Sequence, residues 1–205
     1  MVRVAFIVIL FALLTTPSNG QVVEGKVKIY VDSLKANGIE TFLIYTYYSS
    51  GRLPAINPCD SEESQYLFWG SAKQAFVRKF DKCSNHESVE LTDFNPLDFY
   101  ASNRLRIEKE KIKAPTKLVK AKGSRTEEVS YKISHSYFHK FRFLNQGSLT
   151  EKVISSYALN LDTFDDGKPN IYYKQNQSTK TKELVELTTQ AVKEIEAVTN
   201  NMRTK

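Results

Sequence analysis

The sequence predicts an α+β fold, a mainly antiparallel sheet carrying about three helices, one of them at the C-terminus. Three observations lead there. Two pairs of strand-like segments are each joined by a short turn, Ile39 to Tyr48 (IETFLIYTYY) is apolar on both faces, and the chain closes on a helical apolar stripe. Helices and strands do not alternate strictly, which favours an antiparallel arrangement over a wound parallel sheet.

At the N-terminus, Met1-Val2-Arg3 supplies a positive charge and Val4 to Leu14 (VAFIVILFALL) runs without a polar residue. Ser18-Asn19-Gly20 then places small residues before Gln21. This is the grammar of a cleavable secretory signal. The expectation is a signal peptide over 1–20 and a single α+β domain over 21–205, exported to the periplasm or the extracellular space. The apolar run falls short of the roughly 20 residues a spanning helix needs, and no transmembrane segment is expected in the mature chain. A formal charge of +6 favours acidic partners in general.

The first helix is predicted from Val23, Val27, Tyr30, Val31 and Leu34, with Asn37-Gly38 as its stop. Ile39 to Tyr48 follows as a central strand covered on both sides. Tyr66 to Trp69 and Gln74 to Phe80 (QAFVRKF) form a hairpin around Gly70-Ser71-Ala72, and Ser88 to Leu91 is a further short strand. Asn95-Pro96 opens a second helix as N-cap and first residue, with Asp98 in its first turn. Leu97, Ala101, Leu105, Glu108 and Ile112 are its expected inner stripe, and Ala114-Pro115 its end. Lys117 to Arg125 is read as a loop and Glu127 to Ile133 as an alternating strand. His135 to Leu144 and Leu149 to Leu159 pair around Asn145-Gln146-Gly147-Ser148. Asp162 to Asn170 is a loop, and Ile171-Tyr172-Tyr173 one more short strand. Leu184, Leu187, Ala191, Ile195 and Val198 define the C-terminal helix, with Ser178, Thr179 or Thr181 as candidate caps.

Cys59 and Cys83 are the only cysteines. In an oxidising compartment an even count favours a disulfide. A hairpin centred near Ser71 places the two opposite each other, and closing that loop stabilises the fold by about 3 kcal/mol. A redox or metal role is disfavoured by the lack of a C-x-x-C pair.

Candidate chemistry is sparse. His135 and His139 would share a helix face and could hold a metal, but no Glu follows His135 as H-E-x-x-H requires. On a strand they share a face with Tyr137, Phe141 and Phe143, at about 13 Å apart, too far for one ion. The aromatic content and the following turn favour the strand. Asp162, Asp165, Asp166 and Gly167 suggest a calcium loop, yet Phe164 and Tyr173 stand where ligands belong. Nine Lys and Arg lie between Arg104 and Arg125 against Glu108 and Glu110. Lys113, Lys117, Lys120, Lys122 and Arg125 are the candidate anion-binding residues of that segment. Aromatic residues do not interleave there, so nucleic acid is not the expected partner. Tyr45, Tyr47 and Tyr48 cluster and could form a platform for sugars, although sheet packing consumes aromatics readily. Asn176-Gln177-Ser178 is an N-glycosylation sequon, relevant to a eukaryotic source. No catalytic residue, metal or cofactor is implied by any recognisable motif.

The stretch Cys59-Asp60-Ser61-Glu62-Glu63-Ser64-Gln65-Tyr66-Leu67-Phe68-Trp69, with Phe76-Val77-Arg78-Lys79-Phe80-Asp81-Lys82-Cys83, resembles uncharacterised exported proteins of flavobacteria and their relatives. The resemblance implies a periplasmic or secreted bacterial protein and brings no activity or ligand with it. The expected function is a non-catalytic binding protein whose partner is an acidic surface, a glycan or a protein. A hydrolase or metal-dependent enzyme using His135 and His139 is one alternative. A protein inhibitor or immunity factor is the other.

Overall fold

The computed structural model describes residues 19–51, 64–71, 74–92, 95–121, 123 and 125–203. The chain runs α1 (Asn19–Ala36), β1 (Thr41–Ser49), β2 (Gln65–Ser71), β3 (Gln74–Phe80), β4 (Asn85–Leu91), α2 (Pro96–Lys109), β5 (Thr116–Lys120) and β6 (Thr126–Ser130). It continues through β7 (Tyr137–Asn145), β8 (Ser148–Ser155), α3 (Ser156–Asn160), α4 (Tyr173–Gln177) and α5 (Lys180–Arg203). Six strands form one antiparallel sheet in the order β4-β3-β2-β1-β7-β8, and β5 and β6 make a separate ribbon. The fold is α+β, as the sequence predicts. No helix among the described residues is long and apolar enough to cross a membrane. Most of the predicted signal, residues 1–18, lies outside the described residues.

β1 holds the sheet together because it is buried on both faces. Phe42 and Ile44 pack with Leu67, Trp69 and Phe80 beneath Val23, Val27 and Val31 of α1. On the other face Leu43 and Tyr45 join Phe68, Val77, Phe141 and Phe143 beneath α2 and α5. The α1 contacts recur at i, i+4 and i+8, the stripe read from the sequence. Asn37 and Gly38 close α1 with amides bonded to Leu34 and Lys35.

Several expectations are corrected. The β2–β3 hairpin pairs Gln65 with Phe80 and Ser71 with Gln74, three residues away from the predicted register. Gly70 is not in the turn. It lies within β2 at φ +124, where an added Cβ would meet the Gln74 carbonyl oxygen at 2.2 Å. The register that placed Cys59 opposite Cys83 therefore does not hold, and Cys59 lies outside the described residues.

α2 begins as predicted, with the Asn95 side chain accepting the Leu97 amide at 3.0 Å. Its inner face is Leu97, Tyr100 and Ile107 rather than the stripe through Ala101 and Leu105. Leu105 is 72% exposed. The reason lies in Tyr100, whose ring stacks on Phe143 while its hydroxyl donates to Glu108. A large aromatic that satisfies its polar end outranks alanine for the core. The helix also stops at Lys109, before Ala114-Pro115, because Glu110 turns away to cap α5. Its carboxylate accepts the Lys180 and Thr181 amides at 3.1 and 2.8 Å. Burial raises the Glu110 pKa, but those amides, Arg106 and the Thr181 hydroxyl outweigh it and hold the group low. Thr179 is the predicted cap that acts, accepting the Lys182 amide at 3.1 Å.

Lys117 to Lys120, read as a loop, belong to β5, which pairs with β6 from Thr116↔Ser130 to Lys120↔Thr126. β6 ends at Ser130, short of Ile133. β7 and β8 turn through Gln146 and Gly147, both at positive φ, the backbone that a two-residue hairpin requires. β8 ends at Ser155 and the predicted strand end, Ser156 to Leu159, is helical. Ile171 to Tyr173 is no strand, since Asn170 accepts the Tyr172 amide and turns the chain into α4.

Asn176 organises this end of the molecule. It is fully buried, exchanges two hydrogen bonds with the Lys113 backbone and donates a third to the Ala158 carbonyl. Its amide is thus committed internally and is not presented as a glycan acceptor. Asn176→Ala should lower unfolding free energy by about 2–3 kcal/mol, because it strands buried polar groups of two segments. The exposed neighbour Gln175→Ala should change it by less than about 0.5 kcal/mol. Urea titration of both variants checks this, and equal effects would contradict it.

Candidate functional site

β1 and β7 pair over nine residues, from Thr41↔Asn145 to Ser49↔Tyr137. That register places Tyr47 opposite His139 and Tyr45 opposite Phe141, all on the face that α2 and α5 cover. Near the end of β1 this face and α5 enclose a cleft of about 920 Å³. Its inner surface carries Tyr45, Tyr66, His139, Ser156, Thr189 and Glu196.

A chain of hydrogen bonds ties β1, β7 and α3 together at its base. The Tyr45 hydroxyl lies 2.8 Å from His139 Nδ1, and Ser156 Oγ lies 2.9 Å from Nε2. Thr189 on α5 stands beside the Tyr45 hydroxyl and opposes the rise that burial gives its pKa. Thr189 Oγ1 donates to the Val185 carbonyl at 2.7 Å. Two proton arrangements satisfy both ring nitrogens. Either Ser156 donates to Nε2 and Nδ1–H donates to Tyr45, or Tyr45 donates to Nδ1 and Nε2–H donates to Ser156.

The imidazole is 6% exposed, and its pKa falls to about 4, first through burial and then through the nearby Lys182 ammonium. His139 is therefore neutral at physiological pH. Burial likewise pushes the Tyr45 hydroxyl well above its ordinary value.

A second network forms the opposite wall. Tyr66 donates to Glu196 at 2.5 Å, and Lys79 Nζ lies 2.6 Å from the same oxygen. Burial raises both groups. For Tyr66 the adjoining carboxylate adds to that rise, whereas Lys79 and Tyr66 overcome it for Glu196 and hold that carboxylate low. Lys182 pairs with Glu186. Tyr47 stacks on Tyr137 at 5.1 Å and 7° and is 37% exposed, so an aromatic face stands beside the cleft.

The candidates drawn from the sequence are dispersed. His139 lies at the cleft base, while His135 precedes β7 with Nδ1 2.9 Å from Ser134 Oγ and does not line the cleft. No group of three or more metal-ligating side chains occurs among the described residues. Lys117 is bound to Asp166 at 2.8 Å and lies over the Tyr131 and Phe164 rings. Lys113 lies over Tyr172 at 5.7 Å. Lys120 and Arg125 are exposed, and Lys122 is outside the described residues. The ribbon divides its charge between strands, since β5 carries Lys117 and Lys120, and β6 sets Glu127 and Glu128 opposite Val119 and Leu118. Asp166 of the acidic loop takes Lys117 and Lys168 as its partners.

Ser156, Thr189, Tyr66, Glu196 and Lys182 have no signal in the sequence beyond ordinary polarity. Lys79 has one. Ala75, Val77 and Lys79 alternate onto the inner face of β3, and a cation on an apolar strand face calls for a buried partner.

The chain matches no protein-family model, and no curated protein or solved structure matches it either.

The depressed His139 pKa has a consequence for stability. In the unfolded chain the ring titrates near 6.5, and in the fold near about 4. As pH falls through that interval the unfolded chain takes up a proton that the fold refuses. Stability from this group is intact above the unfolded pKa and is lost between the two values, by up to about 3 kcal/mol. His139→Gln should flatten this part of the profile. Denaturant titrations across the interval with equal slopes for both proteins would contradict it.

Proposed function

We propose that this chain is an exported, non-catalytic binding protein that seats an uncharged, polyhydroxylated ligand, a saccharide, in the cleft between β1, β7 and α5. The observation that carries this reading is the pairing of the part-buried charge inside the cleft. Lys79 is matched to Glu196 and Lys182 to Glu186, while Lys193 lines the cleft from an exposed position on α5, so a charged ligand gains little from the part-buried lysines. What faces the space is hydroxyl and aromatic surface from Tyr45, Tyr47, Tyr66, Ser156 and Thr189. Convergent polar groups on largely apolar walls are the usual composition of small-ligand sites.

Export rests on the apolar N-terminal run and its small-residue junction before Gln21. A Cys59–Cys83 disulfide belongs to the same reading, supported by the even cysteine count and by Cys83 not being a free thiol. The resemblance to flavobacterial exported proteins agrees with this placement.

A hydrolase is the second reading, favoured by the contact between Ser156 and His139. Ser156 stands at a strand-to-helix junction with its hydroxyl 2.9 Å from an imidazole nitrogen, the arrangement of a nucleophile beside its base. The base is poorly suited. With its pKa near about 4 the ring resists the positive charge that proton transfer would place on it, and effective bases titrate near the working pH.

Calorimetric titration with a panel of neutral oligosaccharides tests the binding reading. At least one should bind saturably with little dependence on salt, and Thr189→Val or Tyr47→Ala should weaken it at least tenfold, about 1.4 kcal/mol. Binding unchanged in both variants would contradict it. A p-nitrophenyl acetate burst abolished by Ser156→Ala would replace it with the hydrolase.

A further inference from the structure

β3 carries a second cation on a buried face. Phe76, Arg78 and Phe80 alternate toward α1, and the Arg78 guanidinium carbon lies 4.4 Å over the Tyr30 ring and 5.4 Å from that of Phe80. Flanking aromatic rings hold the guanidinium plane in place and leave its edge to donate. Nothing among the described residues accepts from that edge. Arg78 Nε is buried without a hydrogen-bond partner, and no carboxylate pairs with the guanidinium.

Arg142 on the same sheet face also has an unpartnered Nε. Its other nitrogens bond Glu24 and Gln65, so its charge is answered. That of Arg78 is not.

A pocket of about 230 Å³ opens in front of Arg78, between α1 and the β3–β4 connection. Lys26, Tyr30, Ser33, Phe80 and His86 line it with Arg78, and no Asp or Glu is among its lining residues. Asp81, which follows Phe80 at the pocket, is fully committed. One carboxylate oxygen accepts the Cys83 and Ser84 amides and the other contacts His86 Nε2 at 2.6 Å. Lys26 Nζ donates to the Asp81 and Lys82 carbonyls at 3.0 and 3.1 Å, which parks a second ammonium at the same wall.

We propose that this pocket is a seat for a tetrahedral oxyanion, a phosphate or sulfate group, held edge-on by Arg78 with Lys26 as the second positive charge. The guanidinium fork matches two oxygens of such a group, and a charge-assisted pair is the strong form of hydrogen bond. Tyr30 and Phe80 give the walls apolar surface, so an ester with an aromatic or aliphatic substituent fits better than the bare ion. The site lies on the opposite face of the sheet from the tyrosine cleft and does not depend on what that cleft binds.

Inorganic phosphate, inorganic sulfate and phenyl phosphate, each at ionic strength matched with chloride, test the proposal in the full mature chain. Calorimetry gives the affinity, and the Arg78 Nε–Hε resonance reports the place without any substitution. Saturable binding should shift that resonance. Phenyl phosphate binding tighter than inorganic phosphate identifies the ester as the ligand, and equal affinity identifies the ion itself. Arg78→Met should weaken binding at least tenfold, Arg78→Lys and Lys26→Met by a smaller factor, and Lys120→Ala with Arg125→Ala should leave it unchanged. An unmoved Nε–Hε resonance at saturating phosphate, or equal affinity in Arg78→Met, would overturn it.

Discussion

β1 must be buried on two faces at once, and the rest of the molecule follows from how its side chains divide. Phe42 and Ile44 go to the α1 side, while Leu43 and Tyr45 go to the side of α2 and α5. Side chains alternate with period two, so a one-residue slip of β1 against β7 would exchange the two sets. The pairing of Tyr47 with His139 is a consequence of that parity. So is the bond from Tyr45 to His139, and with it the base of the cleft.

Polar side chains then set the positions of the helices. Glu110 leaves the end of α2 and caps α5, so the helix that roofs the cleft is placed by a carboxylate from its neighbour. Lys152 on β8 donates to the Ile107 and Glu110 carbonyls, satisfying the C-terminal end of α2. Asn176 binds Lys113 and Ala158 and holds the segment after α2 against α3. α3 in turn presents Ser156 to His139. Each of these groups lies far in sequence from what it holds.

That separation explains what was legible in the sequence. The fold class, the two-faced strand, the α1 stripe, the N-cap at Asn95, the turn at Gln146-Gly147 and the C-terminal helix are local signals, carried by period and punctuation. The α2 stripe misled because apolarity alone favours Leu105, whereas Tyr100 both stacks and finds a hydrogen-bond acceptor. The β2–β3 register misled because Gly70 resembles a turn glycine, yet it is required inside the strand, where the partner backbone comes too close for a side chain. Of the candidate site only His139 and the tyrosines of β1 were visible. Ser156, Thr189 and Glu196 acquire their roles from packing between elements. Lys79 and Arg78, by contrast, stand on opposite buried faces of a short strand, and such cations are legible once the faces are assigned. The basic segment drew notice through its density of charge. In the fold Lys117 is answered by Asp166, and the ribbon sets glutamates on the strand that pairs with these lysines.

The claim on which the cleft depends is a neutral imidazole, held at both nitrogens inside the sheet. Titration of the His139 ring by nitrogen NMR tests it most directly. A single neutral tautomer that persists on lowering the pH until about 4 is the expected result. A ring that exchanges between tautomers and takes up its proton near 6.5, as in an unfolded chain, would contradict it.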